Sequence, residues 1–374
     1  MKGFHAGYYV NQGSYKSFQP IEINKSWLID NMELMKLLGQ ADRELGRLDM
    51  YSEYIPNIDL FISMHVVKEA TQSSKIEGTK TNIEEVLLNK ENVSEEKRDD
   101  WEEVQNYIAA LNKAIFLLDN LPFSSRLIKQ THKTLLSGVR GKHKLPGEFR
   151  SSQNWIGGAS IKDAIFIPPV HTSVQAYMSD LEKFSHNQEY AFPELLKIAL
   201  IHYQFETIHP FLDGNGRVGR LMIPLYLVEK EILKKPILYL SDFFEKNRTL
   251  YYDNLMRVRE KNDIEQWFKF FLVGIIETAK NGIETFDKTL KLQKKISIGI
   301  QELGSRANNA NKVVEYLYQH PIVDANKIKE ITELSNPSVY KLIEELEKLK
   351  ILFEMTGMQR GKNYIFRNYI KLFY

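Results

Sequence analysis

Hydrophobic positions that recur every three or four residues dominate this chain, and they predict a mainly helical protein. The clearest stripe is Trp101, Val104, Ile108, Leu111, Ile115 and Leu118, one apolar face of a helix over 101–120 that Pro122 closes. Just upstream, Thr81 and Glu84 have the spacing of a capping box and predict a short helix reaching Leu88. Two more helices are expected over 194–206, opened by Pro193, and over 217–232, with a loop at 209–216 between them. Both are apolar on several faces, which suits helices in the middle of a bundle. One stretch breaks the helical period. In 155–170, Gly157 and Gly158 precede the apolar run Ile165, Phe166 and Ile167, and Pro168 and Pro169 follow it, which predicts a small β-hairpin.

Further on, a long helix over 264–303 runs into a polar patch at 304–311, where a domain boundary is placed. Beyond it the pattern predicts a helix over 312–318, a second after Asp324, and a third capped by Ser335 over 337–350. Two strand-like pieces, 351–355 and 363–366, flank Gly357 and Gly361. Three short helices and a hairpin make a winged-helix pattern. The chain therefore divides into an N-terminal helical region (1–100), a core (101–262), a connecting helix and linker (263–308) and a C-terminal unit (309–374).

Composition narrows the class. A length of 374 residues suits two or three domains, and 43% hydrophobic with 26% charged residues is the balance of a soluble globular protein. The absence of cysteine excludes disulfides, thiolate zinc sites and cysteine nucleophiles, and fits a reducing compartment. The N-terminus lacks the apolar core of a signal peptide. The longest apolar run, 270–276, is interrupted by Gly274 and falls far short of the ~20 residues that cross a bilayer. A cytoplasmic protein with no membrane partner is expected. A net charge of +2 offers no whole-chain argument for nucleic acid.

The chemistry is concentrated in the loop at 209–216 and the helix it opens. Within twelve positions stand His209, Asp213, Gly214, Asn215, Gly216, Arg217 and Arg220. Glycines ahead of a helix let backbone N–H groups converge on an anion, helped by the positive end of the helix dipole. Arg217 and Arg220, three apart, share a helix face and can clamp oligophosphate oxygens. Asp213 is a hard oxygen ligand suited to Mg²⁺ shared with phosphates. His209 ends the preceding helix and is a base whose ordinary pKa lies near working pH. Phe211 is expected to point into the core. Singly, each of these residues has a structural explanation: a histidine before proline, a Gly-Asn-Gly turn, arginines on a solvated face. Together they supply every element of an oligophosphate site in a workable order.

The run from His209 to Arg220 fits HxFxDGNGRxxR at every specified position, and on that motif the chain resembles the Fic family of protein adenylyltransferases. Phe205, Glu206, Thr207 and Ile208 resemble the family's lead-in, and 146–150 with 165–169 its flap; the likeness spans roughly 60–260. It implies a Fic-type helical bundle with a hairpin flap, joined to a C-terminal winged helix. It also implies that His209 deprotonates a target hydroxyl, that Asp213 binds Mg²⁺, and that 214–220 hold ATP. Within that run, Asn215, Arg217 and the N–H groups of Gly214 and Gly216 would take the α- and β-phosphates and Arg220 the γ-phosphate, with Val218 and Gly219 in the same turn. The flap would pair with the target as an added strand. Asn247 and Tyr252, with Tyr251 and Leu255, are the candidates for the adenine side. The second glycine, Gly216, marks the adenylylating form, since phosphorylating relatives carry lysine there.

Upstream, Ser73, Glu77 and Gly78 fit the family's inhibitory pattern [S/T]xxxE[G/N]. Glu77 paired to Arg220 would remove the cation meant for the γ-phosphate and leave negative charge in its place. The expected substrates are a Tyr, Thr or Ser hydroxyl of another protein and of the chain itself. Two alternatives use the same residues: removal of AMP from modified proteins, with Glu77 orienting water, and a DNA-binding regulator whose core only senses nucleotide. In 309–374 ten basic residues face eight acidic ones, and Asn336, Ser338, Tyr340 and Lys341 of the third helix are followed by three glutamates, which repel phosphate. Arg360 and Lys362 make the wing mildly basic. Protein contact or homodimerisation is an equal reading of this unit.

Overall fold

The computed structural model describes residues 1–54, 58–138, 143–358 and 361–374. It opens with a β-hairpin, β1 (Gly7–Asn11) and β2 (Lys16–Pro20), paired antiparallel with Tyr9 opposite Phe18. The N-terminal region is therefore not purely helical as its sequence suggests. Helices α1 (Met32–Tyr54), α2 (Ile58–Ile76), α3 (Ile83–Val86), α4 (Arg98–Leu118), α5 (Ser125–Leu135) and α6 (Val174–His186) follow. Next come α7 (Glu194–Ile208), α8 (Asn215–Glu229), α9 (Ser241–Lys246), α10 (Arg248–Lys261) and α11 (Ile264–Gln301). The C-terminal unit consists of α12 (Ala307–Gln319), β3 (Ile322–Asp324), α13 (Ala325–Thr332), α14 (Asn336–Lys348), β4 (Phe353–Glu354), β5 (Asn363–Ile365) and α15 (Arg367–Ile370).

α7 is the axis of the molecule. Every residue from Leu195 to Ile208 is buried, so each polar side chain on it needs a partner. Lys197 reaches Asn187 O (3.1 Å) and Glu194 (2.9 Å), and Gln204 donates to Ile21 O at 2.8 Å. His202 donates through Nδ1 to Gly219 O (2.9 Å) and accepts from the Tyr251 hydroxyl at Nε2 (2.8 Å), which ties α7 to α8 and α10. Around this axis α1 and α11 run side by side in parallel, with the Tyr51 and Phe286 rings 6.2 Å apart and Leu48 against Gly282. α2 is braced on two flanks. Glu69 accepts from Tyr107 of α4 (2.7 Å) and Ser241 of α9 (2.6 Å), and Phe61 meets Tyr318 of α12 edge-on at 5.3 Å. Among the described residues, no helix is long and apolar enough to cross a membrane.

Several expected boundaries move. The capping box is Asn82 with Glu85, one residue later than Thr81 with Glu84, because Asn82 Oδ1 is the atom that receives the Glu85 N–H (2.9 Å). The 155–170 hairpin is reduced to one bridge, Ile156 with Phe166, and a 3₁₀ turn at Ile161–Asp163. The polar patch after α11 is largely helical: a 3₁₀ turn at Gly304–Arg306 leads into α12, whose Ala310, Val313 and Leu317 are buried. In the C-terminal unit Asp324 caps α13 by accepting from Lys327 N at 2.7 Å. The Ser335 hydroxyl meets Ser338 Oγ (3.0 Å) and makes no side-chain cap bond. Two expected strands are joined by a third, and the antiparallel order is β3-β5-β4. Arg360 lies outside the described residues.

Candidate active site

Where α7 ends, the chain turns sharply. His209 takes a left-handed conformation (φ 50°, ψ 60°) as the C-cap, unusual for a residue with a side chain and followed at once by Pro210. The surroundings fix it. Its carbonyl accepts from Arg150 Nε (3.0 Å) and Asn154 Nδ2 (3.2 Å), and its N–H donates to Phe205 O (2.9 Å). The ring Nδ1 is buried with no partner. Burial, with Arg259 and Arg150 nearby, lowers the imidazole pKa to about 3, so His209 rests neutral with an unprotonated ring nitrogen.

The loop after it is pinned from within and from below. Asn215 Oδ1 accepts from Phe211 N (2.8 Å) and its Nδ2 donates to Phe211 O (2.9 Å). The side chain expected to hold phosphate is thus committed to shaping the loop. Phe211 is fully buried, as expected, and stacks on His132 at 3.7 Å. His132 accepts the Gly147 N–H at Nδ1 (2.8 Å), which leaves Nε2–H to donate to Asp213 O (3.1 Å). Burial lowers its pKa to about 4, and it acts as a neutral strut. Gly214 takes φ 74° as the N-cap of α8, a conformation that a side chain would strain.

Arg217 and Arg220 are both drawn inward, at 6% and 1% side-chain exposure, and both meet carboxylates from upstream in the chain, Glu103 of α4 and Glu77 just after α2. Arg220 donates to Ser73 Oγ (2.8 Å), Ser73 O (2.9 Å) and Glu77 Oε1 (2.6 Å). Arg217 donates to Glu103 Oε2 (3.0 Å), and its Nη2 lies 3.6 Å from Asp213. Burial alone would raise the Glu77 pKa, but Arg220 and Arg217 outweigh it and the net shift is downward. Its carboxylate is ionised and about a third exposed (35%). It lies directly over the first turn of α8: a Cβ placed on Gly216 would fall 2.3 Å from Glu77 Oε1. α2 presents Glu77 just past its last turn, where Glu77 and Gly78 N–H groups return to Ser74 O and Lys75 O (both 3.0 Å).

The remaining expected residues divide. Val218 is core (1% exposed) and Gly219 is spent on His202, so neither faces the loop. Tyr251 and Leu255 are core as well. Tyr252, 37% exposed, stays in the electrostatic reach of Glu77 and Arg220. Asn247 lines a separate cleft with His65, Lys68, Glu69 and Asp242, and its amide donates to Phe243 O (2.9 Å). Sequence reading missed His132, Asn154 and Glu103, each a lone polar residue with no motif around it. Glu206 entered only as part of the lead-in, yet it is fully buried beside Arg220 with Oε1 unpartnered, and burial raises its pKa to about 7.

Residues 35–116 match the N-terminal region of the Fic/DOC family and residues 122–227 the Fic/DOC family itself, together about half of the chain. Among curated proteins, "Protein adenylyltransferase Fic" of Aedes aegypti is 31% identical over 125 residues, 33% of this chain and 22% of that protein. The Drosophila willistoni protein of the same name is 28% identical over 156 residues, 41% of this chain and 28% of that one. The chain thus spans between a fifth and a third of the length of these relatives. Among solved structures, a Fic family protein from Desulfovibrio desulfuricans G20 superposes with a TM-score of 0.59 at 18% identity, covering 91% of this chain and 98% of that one. Fic-1 (residues 134–508) from C. elegans gives 0.52 at 16% identity, covering 70% and 75%. At these identities the structural likeness speaks for the fold.

Proposed function

Because the chain belongs to the Fic/DOC family, we propose that it is a protein adenylyltransferase, held in check by Glu77, that transfers AMP from Mg-ATP to a hydroxyl side chain of a protein. The observation that carries this reading is the pairing at the start of α8. A carboxylate from α2 sits over Gly216 and against Arg220, at the point where a helix N-terminus and two buried guanidiniums invite an anion. An oligophosphate entering there must displace Glu77.

Asp213, 45% exposed at the mouth of the loop, offers the hard oxygen that Mg²⁺ prefers. No group of three or more potential metal ligands stands together among the described residues, so a cation here would complete its shell from phosphate and water. When bound, it would offset charge on the phosphates. Arg217, whose buried Nε has no partner, would grip the α- and β-phosphates, and Arg220 the γ-phosphate once Glu77 has moved. His209 would take the proton of the target hydroxyl as its oxygen bonds to the α-phosphorus and the α–β bridge breaks, releasing pyrophosphate. With neutral His209 held by Arg150 and Asn154, most of the rate enhancement would come from position and charge. Tyr252 is the adenine-side residue the arrangement favours, and the C-terminal unit is read as a winged helix that contacts protein.

The test is to incubate wild type, Glu77→Gly and Glu77→Gly/His209→Ala with Mg²⁺ and ATP labelled at the α- or the γ-phosphate. Label from the α position alone is expected, at least tenfold stronger in Glu77→Gly and lost in the double variant. Label from the γ position would replace adenylylation by phosphoryl transfer. Equal labelling of wild type and Glu77→Gly would remove the brake from the proposal. No label at all, with AMP released from a modified protein, would favour the reverse reaction.

A further inference from the structure

We propose that Glu103 is a positioning residue for this site: it draws Arg217 toward itself and keeps it from closing to hydrogen-bond distance on Asp213, leaving the carboxylate for the divalent cation and the guanidinium for phosphate. The inference rests on the adenylyltransferase reading of the loop. Its geometric basis is an uneven contest for one arginine. Arg217 donates through Nη1 to Glu103 Oε2 at 3.0 Å, a charge-assisted hydrogen bond. Its Nη2 stands 3.6 Å from Asp213 Oδ1, inside ion-pair range but beyond a good hydrogen bond. Asp213 Oδ1 is also turned inward, accepting the Gly214 N–H at 2.6 Å.

Glu103 differs from Glu77 in where it stands. Glu77 covers Gly216 and so occupies the space an anion would take. Glu103 comes from α4 on the flank, in a cleft it shares with Asp99, Glu102, Asn106, Asp213 and Arg217, and is not among the atoms nearest either loop glycine. It grips one end of the guanidinium while Nε, buried and without a partner, remains for a ligand. The carboxylate after α2 thus blocks the site and the one on α4 prepares it.

Without the Glu103 charge, Arg217 would close on Asp213, its i−4 neighbour across the first turn of α8. A cation could then reach Asp213 only by breaking that pair. Outer-sphere partners of this kind set metal affinity more than fold stability.

The experiment compares Glu77→Gly with Glu77→Gly/Glu103→Gln and Glu77→Gly/Glu103→Asp. ATP binding is followed by calorimetry, at fixed ATP across a Mg²⁺ titration and again with EDTA. Glu103→Gln is expected to raise the Mg²⁺ concentration for half-maximal tight binding about tenfold, with a smaller effect in EDTA, and Glu103→Asp to recover part of the loss. Thermal melts check folding, and Glu103→Asp, which keeps the charge, serves if Glu103→Gln does not fold. An unchanged Mg²⁺ midpoint in a folded Glu103→Gln protein overturns the proposal. So does a rise in self-labelling when Glu103→Gln is made in the wild-type chain, which would make Glu103 a second brake. A Glu77→Gly parent that binds no nucleotide under any condition overturns the adenylyltransferase reading and this proposal with it.

Discussion

Around Arg220 two acidic side chains are shifted in opposite directions, and the difference is set by partners. Glu77 has the guanidinium at 2.6 Å and stays ionised; Glu206, fully buried with Oε1 unpaired, has its pKa raised to about 7 by desolvation, with Glu77 adding and Arg220 and Arg259 opposing. A raised carboxyl binds its proton more tightly folded than unfolded. Its contribution to stability is therefore full below pH ~4.5 and is lost as pH rises toward 7. The Glu206→Gln protein, which mimics the protonated form, should melt close to wild type at pH 5. It should gain on wild type by roughly 1.4 kcal/mol per pH unit up to about pH 7, then hold a constant lead. Melting curves from pH 5 to 8 check this, and a constant difference across that range would contradict it. Gly216 tests the same pocket by volume. Its absent Cβ lies 2.3 Å from Glu77 Oε1 and 3.0 Å from Arg220 Nη1. If phosphate takes the place of the carboxylate, Gly216→Ala in the Glu77→Gly background should cancel most of the gain in labelling, about tenfold or more. A double variant as active as Glu77→Gly would mean that phosphate binds elsewhere.

At the scale of elements, the site is a junction of three helix ends held by side chains that do no chemistry. The C-terminus of α7 supplies His209, the N-terminus of α8 the loop and arginines, and the C-terminus of α2 the carboxylate. Arg150 is the staple between α7 and the flap: beyond His209 O it reaches Ser152 O (3.2 Å), Ile208 O (3.4 Å) and Pro169 O. The flap is itself steadied from outside, because Phe18 N of β2 donates to Ile167 O (2.9 Å) and the Phe18 ring rests 5.7 Å from Phe166. Phe166 also carries the Arg259 guanidinium, 3.8 Å from the ring centre, in cation–π contact. The N-terminal hairpin thereby connects to the same cation that lowers the His209 pKa.

Across the whole molecule, α2 links the C-terminal unit to the brake. Its first half packs on α12 through Phe61 and Tyr318, its middle carries His65 edge-on to Phe373 (5.0 Å), and its last residues lead into Glu77. Loosening the C-terminal unit should therefore reach the site. Tyr318→Ala removes a ring that is 2% exposed and touches Phe61, Phe366 and Tyr369, at a cost of about 3–5 kcal/mol. Amide hydrogen exchange over 61–76 should speed up, and self-labelling should rise a few-fold while staying below that of Glu77→Gly. Unchanged exchange in α2 would show the C-terminal unit to be uncoupled from the brake.

Local patterns were enough for the helical class, for α4, α7, α8 and α11, and for the twelve-residue loop, because amphipathic period, capping chemistry and a contiguous motif act over a few residues. They could not show the β1–β2 hairpin, whose exposed Tyr8 and Tyr9 alternate with nothing strongly apolar, nor that the polar 304–311 patch winds into helix once Ala310 and Val313 find a core. They could not show either that Asn247, next to α10 in sequence, lines a cleft with His65, Lys68 and Asp242. Contacts across more than a hundred residues left no local trace at all. The approach of Glu103 to Arg217 spans 114 positions, and that of Glu77 to Arg220 spans 143. The sequence by itself determined which chemical groups are available and which helix ends carry them. Only the tertiary structure decided which charge neutralises which, since that depends on how α2 and α4 pack on α8 and on the low dielectric their packing creates.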